Sequence, residues 1–164
     1  MNGPLIIQAS VLHDFYVQVF LRTGVPEADA HMAAAVRLES ALRLPAGLDA
    51  FAVIRLQNTV RRLQAGGINP TPRLKIVQEG APFALLDGDN GLGAVVGTRA
   101  MDYCLTKAHQ QGLALVGVRI RHAGDDGVLR DACSGAPDDR LCGHEHRAEN
   151  WLATLGWCDP SAGQ

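Results

Sequence analysis

The sequence lacks a long apolar run, a strong excess of charge and a leader-like start, and each absence excludes a class of protein. No apolar stretch approaches the roughly 18 residues that a membrane-spanning helix needs, so no membrane partner is expected. Fifteen basic and seventeen acidic residues give a formal net charge of −2, which does not indicate a nucleic-acid partner. Residues 1–10 show no basic region before a long apolar core, so we expect no signal peptide and a cytoplasmic protein.

The chain also has few cysteines. In the expected compartment its four cysteines are interpreted as thiols rather than as a disulfide framework. Residues 142–146 contain a Cys-x-His-x-His cluster, but its other cysteines are distant, whereas structural zinc sites use paired ligands at short spacings. We therefore expect no metal site. The cysteines are Cys104, Cys133, Cys142 and Cys158.

What remains is an ordinary globular composition: 164 residues, 47% hydrophobic and 20% charged, enough for one domain with a core. Hydrophobic periodicity and glycine or proline stops predict three helices, a hairpin, a helix and a strand. The class is therefore α/β, with N-terminal helices followed by part of a mixed sheet. The last strand is apolar throughout and is expected to be buried on both faces. The predicted elements cover residues 11–23, 26–44, 50–64, 74–79, 83–89, 92–111 and 113–120.

Four segments, in this order and spacing, resemble the malate/L-lactate (2-hydroxy-acid) dehydrogenase family, which includes ureidoglycolate and sulfolactate dehydrogenases. The resemblance covers about residues 11–136. It implies a homo-oligomer, a dimer in the family, that transfers hydride between NAD or NADP and a small 2-hydroxy or 2-oxo acid. The segments are GVPEADA (24–30), RRLQAGGINPTP (61–72), LLDGDNGLGAVVGTRAM (85–101) and KAHQQGLALVGVR (107–119).

The resemblance divides the chain into three regions. Residues 1–72 are expected to form a helical region and residues 73–136 part of a nicotinamide-binding α/β region. Residues 137–164 are an atypical tail without an apolar period. The family chain is about twice as long, so we expect a truncated member that is inactive alone. The alternative is a non-catalytic remnant, or a binding or scaffold subunit that pairs with a complete homologue.

The family's catalytic motif, Gly-x-Asp-Ser-His-Gly-x-x-Arg-Leu, corresponds to residues 47–56. Phe51 occupies the position of the proton-transfer histidine, so the sequence assigns no catalytic residue. Arg55 occupies the position of the arginine that grips the substrate carboxylate. The alternative is a surface arginine on an amphipathic helix. Thr59 stands where the family usually has a tyrosine.

The resemblance also points to the turn that follows the last predicted strand. The family has a histidine-x-glycine turn close to the nicotinamide, and His122 and Gly124 match it, so both are predicted to contact the cofactor. The alternative is a solvated loop histidine. The segment DNGLG (residues 89–93) is interpreted as a helix start rather than as a phosphate loop, with Asn90 as the N-cap and with Gly91 and Gly93 allowing close packing.

The tail has two explanations. Back-translation of residues 139–164, read one nucleotide onward, allows a proline- and glycine-rich string close to the family's own continuation. A frameshift near residues 136–139 is therefore one hypothesis. A diverged short tail that packs elsewhere is the other. The nucleotide sequence of the gene distinguishes them.

Overall fold

The structure is a computed structural model that describes residues 7–43, 49–120, 140–141 and 151–157. Their elements confirm the α/β class and the predicted order of helices and strands up to the third strand. Among the helices described, none has both the length and the apolar character needed to cross a membrane. The elements are α1 Ala9–Arg22, α2 Glu27–Arg43, α3 Asp49–Gln64, β1 Lys75–Glu79, β2 Phe83–Asp87, α4 Gly93–Gln111, β3 Leu113–Arg119, β4 Arg140–Leu141 and β5 Trp151–Trp157.

The first three helices bury their apolar faces in one cluster. Gly24, with a φ of +84°, ends α1 in a left-handed conformation that glycine adopts without strain, and α2 begins three residues later. Alanines on the buried face of α2 allow α1 to approach closely, and aromatic side chains of α1 fill the space. Residues at the start of α4 complete the cluster. Its main members are Tyr16, Phe20, Ala30, Ala33, Ala34, Leu56, Leu63, Leu92 and Val95.

The strands form one mixed sheet in the order β1-β2-β3-β5-β4. The predicted hairpin is confirmed: β1 and β2 are antiparallel, and the Gly80 N–H donates to the Phe83 carbonyl at 2.8 Å. The chain then passes through α4 and returns as β3, parallel to β2. This crossover brings the carboxyl ends of β2 and β3 to the same edge of the sheet.

One face of the sheet packs against α4, and the alternation of β2 and β3 decides which side chains are buried there. The prediction that β3 is buried on both faces is wrong. Leu113 and Leu115 are 49% and 46% exposed, because α4 covers only the face that carries Ala114 and Val116. Apolar composition alone does not show whether a second layer covers the other face of a strand.

The tail contributes a strand that its composition did not predict. Residues 151–157 pair antiparallel with β3 over its whole length, and β4 pairs with β5. Backbone N–H and C=O groups along the edge of β3 need partners, and a seven-residue segment supplies them without any apolar period. Whether the tail arose by a frameshift stays a prediction.

The helical layer and the sheet layer are joined by a partly buried ion pair. Asp29 of α2 is buried, and its Oδ1 accepts a hydrogen bond from Arg99 Nη2 of α4 at 2.5 Å. The same guanidinium donates through Nη1 to the Pro72 carbonyl at 3.1 Å. One side chain therefore fixes α2, α4 and the loop that leads into β1 relative to one another.

Replacing Asp29 by Asn should lower the free energy of unfolding by about 1–3 kcal/mol, because a buried charge-assisted hydrogen bond is weakened and Arg99 loses its counter-charge. Urea denaturation followed by circular dichroism measures the change. The matched control on the same helix is Glu39→Gln, which removes an exposed pair with Arg43 at 3.5 Å and should cost less than about 0.5 kcal/mol. Equal losses in the two variants would contradict the role assigned to Asp29.

Candidate functional site

The residue predicted to bind the substrate carboxylate, Arg55, lies in the second turn of α3 and is partly buried. Phe51 lies one turn earlier on the same helix, and only its backbone is described. His122 and Gly124 lie outside the described residues. The structure brings Arg55 together with Thr59, whose hydroxyl donates to the Arg55 carbonyl at 3.0 Å.

Thr59 also joins α3 to a buried arginine of α2. Arg37 is 8% exposed and donates from Nη2 to the Thr59 hydroxyl oxygen at 2.6 Å. Burial raises the pKa of the nearby Tyr16 hydroxyl, and the Arg37 charge opposes that rise. Sequence reasoning missed Arg37. The available signal was its place on the apolar face of α2, three residues after Ala34 and seven after Ala30.

A polar cleft lies at the shared carboxyl edge of β2 and β3. It has a volume of about 220 Å³ and is lined by Asp87, Asp89, Asn90 and Arg119. Asp87 ends β2 and Arg119 ends β3, and the two side chains form an ion pair. Open α/β sheets bind their ligands outside the carboxyl ends of their strands, so this edge is the expected position for a ligand.

The turn that forms the cleft has an uncommon backbone. Asp89 and Asn90 are consecutive non-glycine residues with φ values of +51° and +54°. Hydrogen bonds hold them there: the Asp89 N–H donates to Asp87 Oδ1 at 2.9 Å, and Asn69 Nδ2 donates to Asp89 Oδ2 at 3.0 Å. The Asp89 side chain is thus held in part by the loop after α3, whereas Asp87 is held by the turn itself.

The prediction that Asn90 is the N-cap of α4 is wrong. The N-cap is Leu92, which makes no side-chain capping bond. Asn90 lies two residues earlier, and its Nδ2 donates instead to the Gly67 carbonyl at 2.9 Å. Its Oδ1 is buried and has no hydrogen-bond partner among the described residues.

Close packing at Gly91 is confirmed. A Cβ atom added there would lie 2.4 Å from Pro72 Cβ and 2.8 Å from Val96 Cγ2, closer than real carbon atoms approach. The glycine is needed because the loop before β1 crosses directly over this turn. Gly91 therefore acts through packing, whereas Asp89 and Asn90 of the same segment line the cleft.

The electrostatics of the cleft keep its first carboxylate ionised. The hydrogen bond from the Asp89 N–H, and then the one from Arg119, lower the pKa of Asp87 below its ordinary value. Within the described residues, no group of three or more His, Cys, Asp or Glu side chains is placed to hold a metal ion. Cys104 is a buried thiol whose Sγ donates to the Ala114 carbonyl at 3.5 Å, and the other three cysteines lie outside the described part.

These features define an α/β protein with a candidate ligand site at the carboxyl edge of two parallel strands. The model of the malate/L-lactate dehydrogenase family matches residues 7–129. The chain therefore belongs to the malate/L-lactate dehydrogenase family, as its sequence segments predicted.

Relatives with established names agree with this membership. The chain is 43% identical over 108 residues to a malate dehydrogenase of Pyrococcus abyssi, a match that covers 66% of this chain and 29% of the relative. It is 38% identical over 103 residues to an L-sulfolactate dehydrogenase of Methanocaldococcus jannaschii, which covers 63% of this chain and 29% of the relative. The chain thus spans under a third of the length of these relatives.

Solved structures give the same result for the fold. The malate dehydrogenase of Pyrococcus horikoshii superposes with a TM-score of 0.69 at 33% identity, over 80% of this chain and 39% of that one. The sulfolactate dehydrogenase of Methanocaldococcus jannaschii gives a TM-score of 0.68 at 33% identity, over 79% of this chain and 37% of that one. Both superpositions cover less than half of the solved chain.

The lowered pKa of Asp87 makes the cleft sensitive to acid. A carboxylate whose pKa is lower in the folded state stabilises the fold above its unfolded pKa of about 3.9, and this contribution is lost as pH falls below that value. Asp87→Asn should therefore reduce the loss of stability between about pH 4 and pH 2, measured by urea denaturation at several pH values. The control is Asp102→Asn, which removes an exposed carboxylate on α4 outside the cleft. A pH profile that changes as much in the control as in Asp87→Asn would overturn this expectation.

Proposed function

We propose that this chain carries the carboxylate-binding and cofactor-facing part of an NAD(P)-dependent dehydrogenase for small 2-hydroxy or 2-oxo acids. The observation that carries the proposal is the polar cleft at the carboxyl ends of β2 and β3 in a chain of this family. We further propose that this chain does not turn over alone, because Phe51 stands at the position of the proton-transfer histidine.

Arg55 is assigned to the substrate carboxylate. A guanidinium offers two parallel N–H donors that match the two oxygens of a carboxylate, and it stays charged at every working pH. The family motif keeps the arginine at this spacing, and Arg55 is partly buried, which strengthens an ionic contact relative to open solvent. These points support a monocarboxylate or dicarboxylate 2-oxo acid as the substrate class.

We assign part of a nicotinamide dinucleotide to the cleft. Ribose hydroxyls donate hydrogen bonds to carboxylates such as Asp89, and a phosphate would compete with Asp87 for the Arg119 guanidinium. We propose that His122 and Gly124, three and five residues after the end of β3 in sequence, contact the nicotinamide. When bound, the cofactor supplies or accepts the hydride.

Proton transfer is the step that we expect to be lost, because Phe51 occupies the position of the proton-transfer histidine. Reduction of a 2-oxo acid needs a proton on the developing alkoxide, and the phenyl ring of Phe51 has none to give. General acid–base catalysis is worth roughly 10²- to 10⁴-fold in rate, so its loss removes most of the turnover. Binding through Arg55 does not require that proton.

The apolar surface of the sheet supports a homo-oligomer as part of the proposal. Phe83, Leu113 and Leu115 are large apolar residues on β2 and β3, and each is more than a third exposed. Contiguous apolar surface of this kind marks interaction sites in soluble proteins.

The proposal predicts binding without turnover. NADH or NADPH should bind at high micromolar concentration or tighter, measured by fluorescence titration. Isothermal titration calorimetry with pyruvate, oxaloacetate and 2-oxoglutarate should then detect 2-oxo acid binding to the complex. Absorbance at 340 nm should show no oxidation of the cofactor.

Arg55→Met should weaken 2-oxo acid binding by at least about tenfold, the loss expected for hydrogen bonds to a charged group. The matched control is Arg61→Met, an exposed arginine later on the same helix, which should leave the affinity unchanged. The proposal fails if neither cofactor binds or if the Arg55 variant binds like the parent chain. Measurable turnover would overturn the assignment of inactivity.

A further inference from the structure

We propose that Arg37 is a positioning residue for Arg55 and acts through the hydroxyl of Thr59. This inference rests on the proposed function, in which Arg55 binds the substrate carboxylate. It adds a residue from a different helix, 18 positions earlier in the chain, that neither the family motif nor the sequence pattern assigns to the site.

The direction of the hydrogen bonds is fixed by chemistry. A guanidinium only donates, so the Thr59 oxygen accepts the 2.6 Å bond from Arg37. The hydroxyl has one hydrogen, which it donates to the Arg55 carbonyl at 3.0 Å. Because the first donor is charged, it polarises the hydroxyl and strengthens the second bond. One hydrogen bond therefore runs from Arg37 to Thr59, and the next runs from Thr59 to the backbone of Arg55. These two bonds together form the relay.

Burial makes this relay rigid. Arg37 and Thr59 are 8% and 6% exposed, so water does not compete strongly for either bond. Apolar packing holds the turn of α3 that carries Arg55 on one side only. Val53 and Ile54, directly before it, are 56% and 51% exposed, and Leu56 is its buried neighbour. The relay therefore adds a second, polar anchor for this turn of α3, and that anchor comes from α2.

The small size of the Thr59 side chain is what allows the second hydrogen bond of the relay. The short Thr59 side chain places its hydroxyl within reach of its own helix, four residues back. A longer polar side chain, such as that of tyrosine, holds its oxygen too far from its own backbone to reach that carbonyl. The chain thus uses the hydroxyl to set the position of the helix turn that carries Arg55.

The test compares Thr59→Val, which keeps the shape and removes the hydroxyl, with Thr59→Ser, which keeps the hydroxyl. Affinity for whichever of pyruvate, oxaloacetate and 2-oxoglutarate binds tightest is measured by calorimetry with cofactor present. Thr59→Val and Arg37→Met should each weaken binding about fivefold, the loss expected for one hydrogen bond, and Thr59→Ser should stay within about twofold. The double variant should lose no more than either single one, because both interrupt one relay.

A merely structural role gives a different result. In an Arg55→Met background, Thr59→Val should leave the residual affinity unchanged, whereas a general loosening of the fold lowers it further. If the parent chain binds no 2-oxo acid, or Arg55→Met binds as well as the parent, the proposed function fails. If Arg55→Met loses affinity but Thr59→Val does not, only the relay is overturned. If Arg37→Met does not fold, Arg37→Lys replaces it, because lysine keeps the charge and lacks the planar guanidinium. The relay is overturned if Arg37→Lys and Thr59→Val both bind the 2-oxo acid with the affinity of the parent chain.

Discussion

The contact between Asp29 and Arg99 determines how the two layers of this protein meet. A carboxylate buried in α2 has lost its water and must be matched by a charge with good geometry, and Arg99 of α4 supplies it at 2.5 Å. Since α4 joins β2 to β3, fixing α4 also fixes the edge at which those strands end. The second bond of Arg99, to Pro72, places the loop that crosses over Gly91. The position of the polar cleft therefore depends on a pair of residues that take no part in it.

The loop after α3 links the helix that carries Arg55 to the cleft. Two of its backbone and side-chain groups bind the turn that follows β2: the Gly67 carbonyl accepts from Asn90, and Asn69 donates to Asp89. Substrate binding and cofactor binding are assigned to different layers of the fold. This loop is a covalent and hydrogen-bonded connection between α3 and the cleft.

The order of helices and strands could be predicted from the sequence because residues at or next to each end determine where a helix or strand stops. Gly24 and Gly112 both adopt a positive φ that ends a helix, and at Gly112 the period of apolar residues also changes from that of a helix to that of a strand. The errors share another cause, which is contact with distant parts of the chain. The exposed face of β3 depends on which layers are present, and the side chain of Asn90 is drawn to Gly67 rather than to its own helix. Arg37 and Thr59 are 22 residues apart and meet only after the helices pack. The roles of Arg55, His122 and Gly124 stay predictions.

The face of the sheet opposite α4 is partly exposed at Leu113 and Leu115, and this exposure affects what a measurement of the protein's stability reports. Leu113 and Leu115 keep nearly half of their surface in water. Burying that surface under a second layer would therefore add hydrophobic stabilisation that the chain alone does not gain. Any molecule that covers this face binds the folded chain in preference to the unfolded chain. By mass action, the melting temperature is then a function of the concentration of that molecule, rather than a constant of the polypeptide.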